Sequence, residues 1–188
     1  MRLAIFGGTF DPVHNAHLAI ARAAADGLWL DRVLFVPAAH PPHKRGVTHA
    51  PFEHRLRMIE LAVAADPRFE ASRIEEFTSR SYSIDTIERV RASLAADDQL
   101  YFLIGADAFA EIRTWHRWRD VIEAVRFIVV SRPGFPISVP VPIDYDRIDT
   151  IALSISSSEI RRTLAAGECT ETLPAPVLHY ALTQGLYK

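Results

Sequence analysis

Short apolar runs alternate with longer amphipathic segments along this chain. The runs have the length of buried β-strands, and the amphipathic segments have the three-to-four-residue spacing of helices. The predicted strands are Leu3–Phe6, Val33–Val36, Phe69–Ile74, Leu100–Ile104, Phe127–Val130 and Thr150–Leu153. The predicted helices are His14–Ala25, Pro51–Ala65, Ile84–Leu94, Ala106–Ala124 with a break near Thr114, Ser157–Ala165 and Ala175–Thr183. This alternation predicts an α/β fold: a doubly wound, Rossmann-like parallel sheet with helices on both faces.

The length and composition favour one globular unit. A chain of 188 residues is long enough for one well-buried domain and too short for two of ordinary size, so we expect a single domain over residues 1–188. Hydrophobic residues make up 49% of the chain and charged residues 23%, which is typical of a globular protein. The proline-rich stretch Arg132–Pro142 is the predicted long loop.

Charge and cysteine content limit which binding partners and which cellular compartment we expect for this protein. The formal net charge is −2, so the chain lacks the basic surplus that nonspecific nucleic-acid binding needs, and any anion site must be built locally. The single cysteine, Cys169, excludes an internal disulfide framework. We see no signal-peptide core and no apolar stretch of membrane-spanning length. We therefore expect a soluble, cytoplasmic protein without nucleic-acid or membrane partners.

Polar and turn-forming residues follow every predicted strand. In order along the chain these segments read GGTFDPVHNAH, PAAHPPHK, EEFTSRSYS, GADAF, SRPG and SISSSEIRR. Ligands of open α/β sheets bind outside the carboxyl ends of the strands. The clustering of histidines, basic residues and glycines in these segments predicts a ligand site at that edge.

The first segment has the composition of a phosphate site. Gly7 and Gly8 follow a strand directly and let a ligand approach the backbone, although they do not form the GxGxxG pattern of redox cofactors. His14 and His17 are three residues apart in the predicted first turn of a helix, where free N–H groups and the helix dipole favour an anion. A metal site is the weaker interpretation, because no third ligand accompanies the two histidines.

The last segment carries a second anion signal. Ser156 and Glu159 form a capping-box pattern at a helix start, which alone indicates only a well-capped helix. Arg161 lies in the early turns of that helix, where a cation opposes the helix dipole unless an anion binds nearby. Ser157 and Ser158 add hydroxyl groups at the same place.

Two further clusters bear on a substrate. His43 and Lys44 follow two prolines that stiffen their loop, so Lys44 could neutralise a leaving group there, although a solvated lysine is the commoner case. Trp115 could stack on an electron-poor ring or belong to the helix core. Trp118 is better explained as core.

These motifs together resemble those of the nucleotidylyltransferase superfamily, and more closely the bacterial nicotinate-nucleotide adenylyltransferase family. GGTFDPVHNAHL resembles the superfamily's HxGH-type signature, with Ala16 in place of the usual glycine. SISSSEIR resembles the family's ISSTxIR motif, with Ser158 in place of its threonine. PPHK, SYSIDT and the GADAF-to-Trp115 region resemble family features, and the resemblance spans nearly the whole chain.

The resemblance implies transfer of the adenylyl group of ATP to nicotinate mononucleotide, giving deamido-NAD and pyrophosphate, with Mg²⁺ accompanying ATP. It implies that His17 contacts the α-phosphate, that His14 contacts the phosphate chain, and that Lys44 and Arg161 stabilise the departing pyrophosphate. The implied ATP-binding residues are Gly7, Gly8, Thr9, Phe10, Gly105, Asp107, Arg132, Ser156, Ser157 and Ser158. The implied mononucleotide-binding residues are His43, Thr86 and Trp115.

Three alternatives stay open from the sequence. The acceptor could be nicotinamide mononucleotide or phosphopantetheine rather than nicotinate mononucleotide. A noncatalytic nucleotide sensor could keep the fold, although a sensor does not need the histidine pair and Arg161. The sequence also leaves the oligomeric state open, with a homo-oligomer as one option.

Overall fold

The computed structural model describes residues 1–40, 48–131, 136–139, 141–149 and 155–188. Their centre is a six-stranded, entirely parallel sheet with the order β3-β2-β1-β4-β5-β6. The strands are β1 Arg2–Gly8, β2 Arg32–Pro37, β3 Phe69–Ala71, β4 Gln99–Gly105, β5 Arg126–Ser131 and β6 Tyr145–Asp149. The helices of the described residues are α1 Asn15–Leu28, α2 Phe52–Val63, α3 Ser83–Arg91, α4 Ala106–Ala110, α5 Trp118–Ala124, α6 Ser157–Ala165 and α7 Ala175–Thr183, with a 3₁₀ turn at Ile112–Thr114.

Successive residues of the central strand point to opposite faces of the sheet, which builds two cores. Ala4 and Phe6 belong to one core, which includes buried side chains of α1, α2, α6 and α7. Leu3 and Ile5 belong to the other, which includes buried side chains of α3, α4 and α5. Both faces are thus covered, as parallel sheets require, and the predicted doubly wound fold is confirmed.

The edge strands differ from the prediction. The described sixth strand is β6, which begins five residues before the predicted strand Thr150–Leu153 and ends directly before it; the predicted strand itself lies outside the described residues. The β6 sequence YDRID is polar and half-exposed because an edge strand pairs with one neighbour only, so a search for apolar runs does not find it. The third strand, at the other edge, ends at Ala71 rather than Ile74.

The helices agree with the sequence more closely. α6 and α7 have the predicted bounds, and the predicted break near Thr114 is present between α4 and α5. α1 begins one residue later than predicted, so His14 is its N-cap and not part of its first turn. Within the described residues no helix is long and apolar enough to cross a membrane.

Candidate active site

A cavity opens where the strand order reverses, between β1 and β4. Its volume is about 320 Å³, and it lies at the carboxyl ends of the strands. Such a switch point is the usual ligand site of a doubly wound sheet. The cavity brings together five predicted site residues, namely Gly7, Gly8, Thr9, Gly105 and Trp115, and also one that the sequence reasoning missed, Glu75.

The glycine pair has a structural reason that the sequence did not reveal. A Cβ atom at Gly8 would lie 3.0 Å from the nearest atom of the Phe10 ring, whereas one at Gly7 would meet only Phe102 at 3.7 Å. Phe10 has a φ of 48°, in the left-handed region, and its ring is buried against Phe6. Glycine is therefore required at position 8, because any larger residue would crowd the Phe10 ring. Since that ring is buried, the predicted ATP contact of Phe10 would have to come from its backbone.

His14 and His17 form a stacked pair at the start of α1. Their ring centroids are 3.7 Å apart and their planes differ by 25°. The backbone N–H of His14 donates a hydrogen bond to Nδ1 of His17 at 3.2 Å. Because Nδ1 of His17 acts as acceptor, the neutral ring carries its proton on Nε2, where it can be donated to a ligand.

Burial keeps this pair uncharged at neutral pH. It lowers the pKa of His14 to about 4, and burial together with the neighbouring His14 lowers the pKa of His17 well below its ordinary value. Nδ1 of His14 is buried and has no hydrogen-bond partner among the described residues. Buried polar atoms are normally paired, so this unpaired nitrogen is an exception among the described residues.

The start of α6 packs against the turn that precedes the histidines. The Ser157 hydroxyl donates to the Pro12 carbonyl at 3.0 Å, and Arg161 donates to the Asp11 carbonyl at 2.7 Å. A second N–H of Arg161 donates to Ser158 at 3.3 Å. The sequence predicted that only a bound anion would pair with Arg161, but the Asp11 carbonyl already accepts a hydrogen bond from it. These contacts also bring the two predicted phosphate motifs side by side.

The predicted N-cap of α6 is confirmed. The Ser156 hydroxyl accepts a hydrogen bond from the backbone N–H of Glu159 at 3.2 Å. The cap fixes where the free N–H groups of this helix begin, next to the histidine loop.

Asp11 organises the loop between β1 and α1. Its carboxylate is buried and accepts the backbone N–H of His49 at 2.7 Å, the N–H of Ala50 at 3.1 Å and the hydroxyl of Tyr187 at 2.8 Å. Its main chain also receives the bond from Arg161. One residue therefore ties the histidine loop to the start of α2, to α6 and to the end of the described chain.

Arg55 supports the same loop from the core and was missed by the sequence reasoning. Its side chain is fully buried and donates to the carbonyls of Thr9 at 2.8 Å and Ala50 at 3.1 Å. Burial lowers its pKa. The available signal was its position on the buried stripe of α2, four residues before Ile59, where a charge needs a specific partner.

Trp115 and Glu75 bring an aromatic and an acidic side chain to the lining of the cavity. Trp115 is partly buried and meets Phe102 edge to face, with ring centroids 5.8 Å apart. Thr86 is buried, its hydroxyl donates to Glu75 at 2.5 Å, and its N–H donates to the Tyr82 carbonyl at 3.3 Å. Both donors of Thr86 thus have protein partners, and its substrate contact stays a prediction. Trp118, expected in the core, is partly buried and packs against that core.

The remaining predicted residues are less closely gathered. Gly105 is the N-cap of α4, and Asp107 lies exposed in the first turn of that helix. His43, Lys44 and Arg132 lie outside the described residues. In the described ranges no three His, Cys, Asp or Glu side chains form a group that could hold a metal ion.

Comparisons with known proteins identify the family of this chain. The family model described as "Cytidylyltransferase-like" matches residues 5–163. A "Probable nicotinate-nucleotide adenylyltransferase" of Solibacter usitatus is 67% identical over 187 residues, covering 100% of both chains. A protein of Thermus thermophilus with the same description is 43% identical, again covering 100% of both chains.

A solved structure supports the fold. The nicotinic acid mononucleotide adenylyltransferase of Plasmodium falciparum, complexed with NaAD, superposes with a TM-score of 0.80 at 21% identity, covering 99% of this chain and 97% of that one. At this identity the likeness concerns the fold alone, whereas the full-length sequence matches carry the family. The chain therefore belongs to the nicotinate-nucleotide adenylyltransferase family, within the cytidylyltransferase-like proteins.

Proposed function

We propose that this protein transfers the adenylyl group of ATP to nicotinate mononucleotide, producing deamido-NAD and pyrophosphate. The observation that carries the proposal is the junction of two helix starts at the switch point of the sheet. There the stacked pair His14 and His17 lies beside the start of α6, which holds Arg161. Relatives at 67% and 43% identity with matching descriptions support the same reaction.

The reaction needs positioning and charge stabilisation rather than a base. A phosphate oxygen of the mononucleotide is already anionic and attacks the α-phosphorus of ATP in line. The new P–O bond forms as the bond from the α-phosphorus to the pyrophosphate oxygen breaks. The proposal accordingly requires donors aimed at the phosphates, and no nucleophilic side chain.

His17 suits the role of such a donor. Its Nδ1 is occupied by the His14 N–H, which leaves Nε2–H as the donor to a phosphate oxygen. The lowered pKa of His17 keeps the ring neutral before ATP binds, so the ring has no counter-ion that ATP must displace. His14 would contribute the neighbouring contact to the phosphate chain.

Charge on the leaving pyrophosphate would be met from α6 and from the loop after β2. Arg161 and the hydroxyls of Ser156, Ser157 and Ser158 lie at the start of α6, where the helix dipole also favours an anion. We keep Lys44 as a second cation for this step, with His43 beside it, on the basis of the PPHK motif alone.

We also propose that Mg²⁺ enters the site together with ATP, where it would neutralise charge on the phosphates. The described residues offer no group of three suitable side chains, so the phosphates and water would supply most of its ligands. A role in NAD synthesis places the protein in the cytoplasm under this proposal, and a homo-oligomer is compatible with it.

The test is pyrophosphate release from ATP with a panel of acceptors: nicotinate mononucleotide, nicotinamide mononucleotide and phosphopantetheine. We expect the highest kcat/KM with nicotinate mononucleotide. Turnover with phosphopantetheine alone would keep adenylyl transfer and overturn the acceptor. ATP binding without turnover of any acceptor would favour the nucleotide sensor.

A further inference from the structure

Glu75 places a buried carboxylate against the cavity that Trp115 also lines. It follows β3, is only 6% exposed and lines the cavity. One oxygen, Oε1, accepts the hydroxyl of Thr86 at 2.5 Å. The other, Oε2, is buried and has no hydrogen-bond partner within the described ranges.

An unpaired carboxylate oxygen in such a place needs a donor. A buried charged or polar group without a partner is costly, and such groups are rare in folded proteins. Thr86 is itself buried and holds the carboxylate from α3, so the orientation of Oε2 is fixed before any ligand arrives. Among the described residues no donor reaches Oε2, so a ligand or a water molecule in the cavity is a candidate for the missing donor.

The chemistry of the proposed acceptor leaves few candidates. The phosphate and the carboxylate of nicotinate mononucleotide only accept hydrogen bonds, and its pyridinium ring has no N–H. Only the two ribose hydroxyls can donate. We propose that Glu75 determines affinity for the mononucleotide by accepting a hydrogen bond from one of these hydroxyls, with Thr86 as its positioning residue.

This inference rests on the proposed function, and the charge of the substrate supports it. The pyridinium ring is cationic, so a carboxylate in the same cavity attracts it, whereas it repels the nicotinate carboxylate. Glu75 would thus hold the ribose and orient the pyridinium ring so that its carboxylate points away from Glu75. Trp115, which also lines the cavity, remains available to the ring.

The first experiment compares Glu75→Gln with the wild type. We expect the KM for nicotinate mononucleotide to rise about tenfold to a hundredfold, because the hydrogen bond loses its charged acceptor and the amide can turn its NH₂ toward the ribose. The KM for ATP should stay within about twofold. Glu76→Gln is the matched control, since Glu76 pairs with Arg73 instead, and it should leave both values unchanged.

The second experiment removes the partner atom from the substrate. With the wild type, the KM for the 2′-deoxy or the 3′-deoxy analogue should exceed the KM for nicotinate mononucleotide by a similar factor. With Glu75→Gln, the same analogue should raise KM by less than about twofold. Thr86→Val should raise the KM for the mononucleotide, and Thr86→Ser, which keeps the hydroxyl, should restore it.

The outcomes separate this inference from the proposed function. Absence of turnover by the wild type with nicotinate mononucleotide would overturn the function and the inference with it. A wild type that is active but accepts both deoxy analogues within twofold would overturn the inference alone, whether or not the Glu75 variant folds. An unchanged mononucleotide KM in a folded Glu75→Gln protein would do the same and would assign Oε2 to water.

Discussion

The hydroxyl of Tyr187 donates a hydrogen bond to the carboxylate of Asp11 at 2.8 Å, and the two residues are 176 positions apart. The carbonyl of Asp11 also accepts a hydrogen bond from Arg161, and Asp11 lies in the turn that leads to the histidine pair. Burial raises the pKa of Tyr187, with the nearby Asp11 carboxylate as a second cause, so the hydroxyl stays protonated and remains a donor. The last residues of the chain thereby hold the loop that presents His14 and His17.

Tyr187→Phe should lower both stability and activity. Removing the hydroxyl leaves the buried Asp11 carboxylate with two of its three donors, so the free energy of unfolding should fall by about 1–2 kcal/mol. The histidine loop loses a support, and kcat should fall several-fold. Denaturant titration and steady-state kinetics measure the two effects.

Tyr101→Phe is the control, since that buried hydroxyl bonds to Gln99 at 2.9 Å, away from the loop. It should cost stability without lowering kcat. Equal activity of the two variants would contradict a link from Tyr187 to the site.

His17→Ala should reduce kcat by roughly a hundredfold to a thousandfold, because one donor to the developing charge is lost. The Kd for ATP should change much less, since the resting ring is neutral and contributes little to ground-state attraction. Rapid-quench or steady-state kinetics with ATP-binding calorimetry separate the two quantities. The exposed His179→Ala on α7 is the control. A kcat within a few-fold of wild type would remove His17 from the reaction.

Arg161→Ala should weaken ATP binding at least tenfold and change stability only slightly. The lost bond to the Asp11 carbonyl costs about 1 kcal/mol, and relief of an unfavourable position in an early helical turn offsets part of that cost. Arg162→Ala, at the neighbouring exposed position, should leave ATP binding unchanged. A strong loss of melting temperature with normal ATP affinity would make Arg161 purely structural.

The stability of the ligand-free protein should fall as the pH is lowered from about 6.5 towards about 4. The folded pKa of His14, about 4, lies below its ordinary value of 6.5, so the unfolded state binds the proton more readily across this range. His14 alone should cost about 2 kcal/mol between pH 7 and pH 5. His17 acts in the same direction. Urea titrations at both pH values should show a smaller loss in His14→Gln; an equal loss would contradict the assignment.

Trp115→Ala should raise the KM for nicotinate and nicotinamide mononucleotide by similar factors. Stacking on the indole does not distinguish a carboxylate from a carboxamide, so the preference for nicotinate should survive. Measuring kcat/KM for both substrates in both proteins tests this. Trp118→Phe is the control, because Trp118 does not line the cavity. An unchanged KM for both substrates would return Trp115 to a packing role.

Local patterns in the sequence were enough to predict the fold and the two phosphate motifs. The apolar runs of β1, β2, β4 and β5 are buried on both faces of the sheet, so hydrophobicity alone marks them. The Ser156 cap marks the start of α6 because capping depends on residues only three positions apart. Since β1 is central and parallel, the loop after it had to reach the ligand edge of the sheet.

Only the tertiary structure decided which polar residues form buried hydrogen bonds around these motifs. Arg55, Glu75 and Tyr187 have partners that are 11 to 176 positions away, namely Thr9, Thr86 and Asp11. No local periodicity encodes such pairs, because the partners meet only after the sheet and helices have packed. The edge strand β6 was missed for a related reason: its stability comes from pairing with β5, and its own sequence is polar. Local sequence therefore determined most of the elements and marked the two predicted phosphate motifs, whereas packing determined the buried hydrogen bonds that hold the loops of these motifs in place.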